Sequence, residues 1–190
     1  PGEGQTPRSA DRPLSAASKR GVDVQVVYDN IDSDTGPRDR NNSAIKKAGI
    51  KTLCTGYTEG KLMHNKFIVL LEKDKPLEVL TGSTNWTENG LYGHLNCVHV
   101  VRDVGTAGTY LNYWEELAKD PEQAQIKKWC DQNAPSPGAI PTSGITPVFS
   151  PETGAPALAF YGKAAASAKD ALFMTFAFGM NDVFQTTYLK

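Results

Sequence analysis

Two short runs hold residues whose types and spacing can do chemistry. His64, Asn65 and Lys66 open one apolar run, and Gly82, Ser83, Thr84 and Asn85 close the next. In an extended chain, residues two apart share a face, so a strand through here points His64 and Lys66 the same way. If the two runs pair as a hairpin, Gly82, Ser83 and Asn85 return to the mouth of that strand. The mouth then offers an imidazole, an ammonium, a hydroxyl and a carboxamide, with Gly82 letting backbone approach. That set suits a phosphate: Lys66 as a point charge, Ser83 and Asn85 as donors, His64 as nucleophile or acid/base. A lone His-x-Lys is commonly ordinary strand decoration. The combination is what points to chemistry.

The surrounding elements must bring these runs together. "DRPLSAASKRG" predicts a helix stopped by Gly21, and "VDVQVVYD" a buried strand. "RDRNNSAIKKAG" predicts a second helix stopped by Gly49, and "IKTLCT" a short strand. Helix, strand, helix, strand signals an α/β domain with a parallel component. "HNKFIVLL", the polar turn "EKDKP" and "LEVLTG" predict an antiparallel hairpin, with another strand in "LNCVHVVRD". Tyr110, Tyr113, Trp114 and Leu117 recur at helical spacing in "AGTYLNYWEELAKDP", and core packing explains that stripe. "PEQAQIKKWCDQN" predicts a further helix. Residues 134–156 are dense in Pro, Gly, Ser and Thr and read as a connection. Beyond it come a helix in "ALAFYGKAAASAKD", a strand in "ALFMTFAF" and a helix starting in "GMNDVFQTTYLK". The expected fold is α/β: a mixed, largely parallel sheet with helices on both faces. The expected division is a unit at 1–133, the connection at 134–156 and a second element set at 157–190.

Composition narrows the classes. With 190 residues, 39% apolar and 22% charged, the chain fits a globular domain with a real core. A net charge of -1 means that affinity for a polyanion must come from a local patch. Cys54, Cys97 and Cys130 have no zinc or CxxC spacing and read as reduced thiols. No run approaches the about 20 apolar residues of a membrane helix. No signal peptide is visible. The compartment stays open, with the cytoplasm favoured. The "PGEGQTPRS" arm reads as loose, and the ends "PGE" and "YLK" read as those of a fragment.

"HNKFIVL" followed by "VLTGSTNWT" resembles the HKD signature of the phospholipase D superfamily, H-x-K-x-x-x-x-D followed by G-S-x-N. His64, Lys66, Gly82, Ser83 and Asn85 match it position by position. "RGVDVQVVYD" resembles the family's α/β unit, and "SPETGAPALAFYGKAAASAKDALFMTFAFGMND" resembles the opening of its second repeat. One departure stands out. The motif aspartate falls at Leu71, with Glu72 and Asp74 one and three residues late. The resemblance implies phosphodiester transfer through a phosphohistidine, with His64, Lys66 and Asn85 catalytic and Lys66, Gly82, Ser83 and Asn85 holding the phosphate. It implies no metal and no cofactor. A second histidine protonates the leaving oxygen. His94 and His99 lack a lysine two residues on, so that histidine is expected from a second-repeat segment or from a homodimer mate.

Substrate is read from the flanks. Arg38, Arg40, Lys46, Lys47, Lys51, Lys61 and Lys66 stand against Asp39 and Glu59. That excess can rim a DNA or RNA backbone, which puts nucleic acid slightly ahead of phospholipid. A solvated helix face explains Lys46 and Lys47 equally well. Tyr57, Trp86 and Tyr92 can stack bases, line an acyl or headgroup pocket, or simply pack strand ends. The rival class is a non-catalytic phosphate- or nucleic-acid-binding domain with a degenerate motif.

Overall fold

The computed structural model describes residues 11–33, 35–60, 62–177 and 179–188. The arm at residues 1–9, Lys61, the last residue of the "ALFMTFAF" run and the last two residues of the chain lie outside that set. The chain forms two compact units, Pro1–Gln123 and Ala124–Lys190.

In the first unit, helix α1 (Asp11–Lys19) precedes strand β1 (Val26–Asp29), helix α2 (Thr35–Ala48) and strand β2 (Cys54–Tyr57). Gly21 and Gly49 follow the two helices with φ of 85° and 68°, the left-handed stop that a residue with a Cβ resists. β1 and β2 pair in parallel, from Val26↔Cys54 to Asp29↔Tyr57. Parallel neighbours need a crossover, and α2 supplies it. β1 is shorter than the valine alternation predicts, and Val22 is exposed.

Strands β3 (Phe67–Glu72), β4 (Lys75–Gly82) and β5 (Val98–Val101) form a separate antiparallel sheet in the order β3-β4-β5. The expectation of a largely parallel sheet is therefore corrected. Its cause is the turn at Lys73 and Asp74, whose φ values are 49° and 64°. A two-residue loop with both φ positive matches the right-handed twist of a hairpin and forces the strands antiparallel. A register shift at Leu70/Leu71 leaves Leu77 as an extra residue on β4.

Helix α4 (Val104–Leu117) covers one face of this sheet. Asp103 caps its start by accepting from the Thr106 backbone N–H at 2.7 Å. The Thr106 hydroxyl, and after it that backbone bond, hold the Asp103 carboxyl below the usual carboxylate range. Tyr113 and Leu117 are buried, and Phe67 meets Tyr110 edge-on at 5.1 Å between ring centres. The aromatic stripe is core, as its spacing predicts. The opposite face is not covered: Ile68, Leu70, Val98 and Val100 are 52%, 52%, 42% and 50% exposed. The expectation of helices on both faces is thus corrected for this sheet.

The second unit holds α5 (Gln123–Asn133), α6 (Pro156–Ala166) and α7 (Asp182–Tyr188). No helix or strand lies in residues 134–155, yet the segment is tied down. The Glu152 carboxylate accepts from the Ser136 N–H and hydroxyl, both at 2.9 Å, and Asp131 accepts from the Thr153 N–H at 3.0 Å. Cys130 is fully buried here. Burial first, then Glu152 and Asp131, push its thiol up to about 11, so it behaves as a small apolar residue. Residues 171–177 form no strand, against expectation. A strand's hydrogen bonds run to a neighbouring strand, and the described residues of this unit offer none.

At Gly82 the end of β4 packs close against the backbone of Cys97 and Val98. A Cβ there would lie 2.2 Å from the Cys97 carbonyl oxygen. Gly82→Ala is expected to lower stability by roughly 1–3 kcal/mol, because backbone must move to admit the methyl group. Urea unfolding checks it, and a midpoint equal to wild type would contradict the packing.

Candidate functional site

The hairpin sets the location. Phe67 pairs with Thr81, and Gly82 pairs with Val98. Lys66 and Gly82 are each one residue past the Phe67↔Thr81 pair, so the start of β3 and the end of β4 share one end of the sheet. Ser83 continues there, its N–H donating to the Cys97 carbonyl at 3.0 Å. The structure thus brings His64 and Lys66 to the same sheet end as Gly82, Ser83 and Asn85, as the hairpin argument expects.

The details differ from the sequence expectation. His64, Asn65 and Lys66 precede β3 rather than belonging to it, so strand alternation does not govern them. The β3-β4 ladder begins at Phe67↔Thr81, Gly82 pairs with Val98 of β5, and residues 64–66 have no ladder partner. His64 is exposed, and no hydrogen bond or ion pair engages its imidazole among the described residues. Lys66 is half-buried, and its Nζ donates to the His64 carbonyl at 2.7 Å. An ammonium carries three donors, so two remain for a ligand. Burial lowers the Lys66 pKa, because leaving water disfavours the charged form.

Ser83 and Gly82 are partly committed to structure. The Ser83 hydroxyl donates to Asn96 Oδ1 at 3.1 Å and accepts from the Cys97 N–H at 3.1 Å. Asn96 Nδ2 in turn donates to the Gly90 carbonyl at 2.8 Å. The missing Cβ of Gly82 serves the approach of Cys97 and Val98 as well as any ligand. Asn85 is exposed, and Gly90 packs against its backbone, where a Cβ would lie 2.3 Å from the Asn85 carbonyl oxygen. Helix α3 (Glu88–Tyr92) starts here, capped by the Thr87 hydroxyl accepting from the Gly90 N–H at 3.1 Å.

Leu71 sits at the far end of β3. It lies five residues on from Lys66, roughly 16 Å at the usual strand rise. A carboxylate at position 71 would not touch a group held at His64 on this chain. The departure therefore concerns the hairpin end of the strand, not the mouth. His94 and His99 are both exposed, His94 in the loop before β5 and His99 opposite Thr81.

Three members of the basic excess, Lys46, Lys47 and Lys51, stand away from the mouth. The Met63 N–H donates to Asp29 Oδ2 at 3.2 Å, so the His64 segment hangs at the carboxyl edge of β1 and β2. Helix α2 starts at that edge and runs back to the amino edge over 14 residues, about 21 Å. Lys46 and Lys47 lie in its last turn, and Lys51 just precedes β2, so all three stand at the opposite edge. Arg38 starts at the near edge but is paired with Asp32 at 2.8 Å and Asp39 at 2.9 Å. Of the flanking aromatics, Tyr57 is buried, its hydroxyl donating to the Pro121 carbonyl at 3.1 Å. Trp86 and Tyr92 are exposed, 42% and 86%.

Sequence reasoning missed Asp29, Asn96 and Gly90. Asp29 had one available signal: it ends a parallel strand, where α/β sheets place their functional groups. Asn96 and Gly90 act through tertiary contacts that no local pattern announces.

His64, Lys66, Gly82 and Ser83 thus share one end of the β3-β4-β5 sheet in an α/β unit. The family described as "Cardiolipin synthase, PLD-like domain" matches residues 6–118, more than half of the 190-residue chain. The chain belongs to that family, and through it to the phospholipase D superfamily of phosphodiester hydrolases and transferases. No match to the chain was found among curated proteins. The matched span covers α1 through α4 and contains every site residue discussed above. No described helix is long and apolar enough to cross a membrane.

Lys66 yields a direct check. A bound phosphate favours the ammonium and opposes the burial effect, so it should raise the Lys66 pKa. By linkage, phosphate should bind more weakly as pH rises through the Lys66 value of the free protein. NMR titration of the Lys66 side chain with and without inorganic phosphate measures both. A Lys66 titration unmoved by saturating phosphate would place the anion elsewhere.

Proposed function

We propose that this domain cleaves or transfers phosphodiesters at the mouth formed by His64, Lys66, Gly82, Ser83 and Asn85. The observation that carries the proposal is that Lys66 Nζ holds the His64 backbone carbonyl at 2.7 Å at the sheet end that Gly82 shares, while the exposed His64 imidazole has no hydrogen bond or ion pair among the described residues. A His64 nitrogen attacks phosphorus, a P–N bond forms, and the bond to the leaving oxygen breaks. That oxygen takes its proton from a second histidine, supplied by a second repeat or by another copy of the chain. The same group then removes a proton from water or an alcohol, whose oxygen displaces His64. Lys66 and Asn85 hold the charge that builds on the non-bridging oxygens.

The element set at 157–190, beyond a connection at 134–156, fits the opening of such a second repeat. The substrate proposal is to the phosphodiester class, nucleic acid or phospholipid. The order favouring nucleic acid rested on the basic excess, and with Lys46, Lys47 and Lys51 at the other edge that argument does not apply at the mouth. A second reading is a non-catalytic phosphate-binding domain. Leu71 in the aspartate position and the commitment of the Ser83 hydroxyl to Asn96 favour it.

Hydrolysis of bis-(p-nitrophenyl) phosphate by the longest native chain separates the two. His64→Ala should lower the rate by about 1,000-fold or more, as loss of a covalent nucleophile does. Equal rates would remove the enzyme reading and leave the binding one.

A further inference from the structure

Residues 62–66 carry the proposed nucleophile and charge but form neither helix nor strand. What holds them is therefore a matter of single contacts. One comes from Asp29, the last residue of β1. Its Oδ2 accepts from the Met63 N–H at 3.2 Å, one residue before His64. Its Oδ1 accepts from the Ile31 N–H at 3.1 Å, closing the turn after β1. Its own carbonyl accepts from Asn41 Nδ2 of α2 at 3.1 Å. Asp29 thus joins three pieces: the end of β1, the start of the crossover and the His64 segment. Two further hydrogen bonds reach the segment among the described residues. Asn65 Nδ2 reaches the Tyr113 hydroxyl at 3.4 Å, near the outer limit of a hydrogen bond, and Lys66 bonds within the segment itself.

The root of the same connection is also clamped by a carboxylate. Asp120 accepts from the Thr58 N–H at 2.6 Å, the Thr58 hydroxyl at 2.6 Å and the Glu59 N–H at 3.3 Å. That clamp lies five or more residues before His64. It fixes where the connection leaves β2, not where it arrives.

We propose that Asp29 is a positioning residue for His64: its two carboxylate oxygens fix the Met63 backbone against the end of β1 and so set the approach of the imidazole. This rests on the phosphodiester-transfer function proposed above. The chemistry requires a carboxylate, because both oxygens accept backbone N–H groups. A carboxamide keeps one acceptor and turns an N–H₂ toward the other donor. Asp29 touches no reacting atom. It acts through Met63, and misplacing a nucleophile by an ångström slows chemistry without weakening the phosphate contacts of Lys66.

Two variants of the full chain test this. Asp29→Asn leaves one oxygen for two N–H groups. Asp29→Ser keeps an acceptor for the Ile31 N–H, as serine does in such turns, but leaves nothing to reach Met63. In both, the Met63 amide should exchange with solvent about tenfold faster, while amides of β1 and β2 stay protected. In both, kcat on bis-(p-nitrophenyl) phosphate should fall about 10- to 100-fold with KM within about twofold. Unchanged Met63 exchange, or lost protection with unchanged kcat, would overturn the proposal. A fall in kcat and a rise in KM together with general loss of amide protection would also overturn it, since Asp29 would then act on stability alone. The exchange arm is independent of turnover. If wild type shows no His64-dependent turnover, the phosphodiester-transfer reading fails, and the holding of the His64 segment by Asp29 is decided on Met63 exchange.

Discussion

The site depends on the pairing of Phe67 with Thr81. That pair fixes the hairpin register, and the register brings Lys66 and Gly82 to one end of the sheet. A slip of one residue would turn Phe67 and Val69 away from α4 and carry the mouth apart at the same time. Core and site are therefore specified by one constraint. Phe67 is anchored by Tyr110 and Tyr113, at 5.1 and 6.1 Å between ring centres. The Tyr110 hydroxyl also reaches Thr81 Oγ1 at 3.4 Å, so α4 touches both members of the pair. A helix that contributes no site residue thereby governs where the site residues stand.

Around this register the mouth divides its labour. Gly82 and Ser83 serve the junction of β4 with β5, through the Cys97 carbonyl and N–H. Asn96 and Gly90 brace the loop that displays Asn85. Only His64, Lys66 and Asn85 project groups that are not consumed by that framework among the described residues. Residues of a motif can thus be shared between architecture and chemistry, and the sequence pattern alone does not say in what proportion.

The hairpin and the α4 stripe were legible because each follows a local period: apolar alternation about a polar turn, and aromatics three and four residues apart. β1 and β2 were legible as a parallel pair because a helix lies between them. The sheet as a whole was misjudged, because the helix-strand start was extended to strands that a two-residue turn makes antiparallel. The apolar run "ALFMTFAF" reads as a strand, but apolar character does not create a ladder partner. Lys46 and Lys47 leave the expected basic rim for a related reason. Closeness in sequence between Lys46 and His64 says nothing of which edge of the sheet each occupies, and the crossover sends them to opposite edges. Of the site, the types and the convergence of His64, Lys66, Gly82, Ser83 and Asn85 could be read. The carboxylate of Asp29, 34 residues from Met63, could not.

The account turns on whether the mouth holds a tetrahedral oxyanion. A crystal structure of the chain soaked with tungstate tests that most directly. The account predicts the anion within about 3 Å of Lys66 Nζ and a His64 ring nitrogen, the span of a charge-assisted hydrogen bond. Tungstate bound only at the Lys46–Lys47 end of α2, with the mouth empty at saturating concentration, would contradict it.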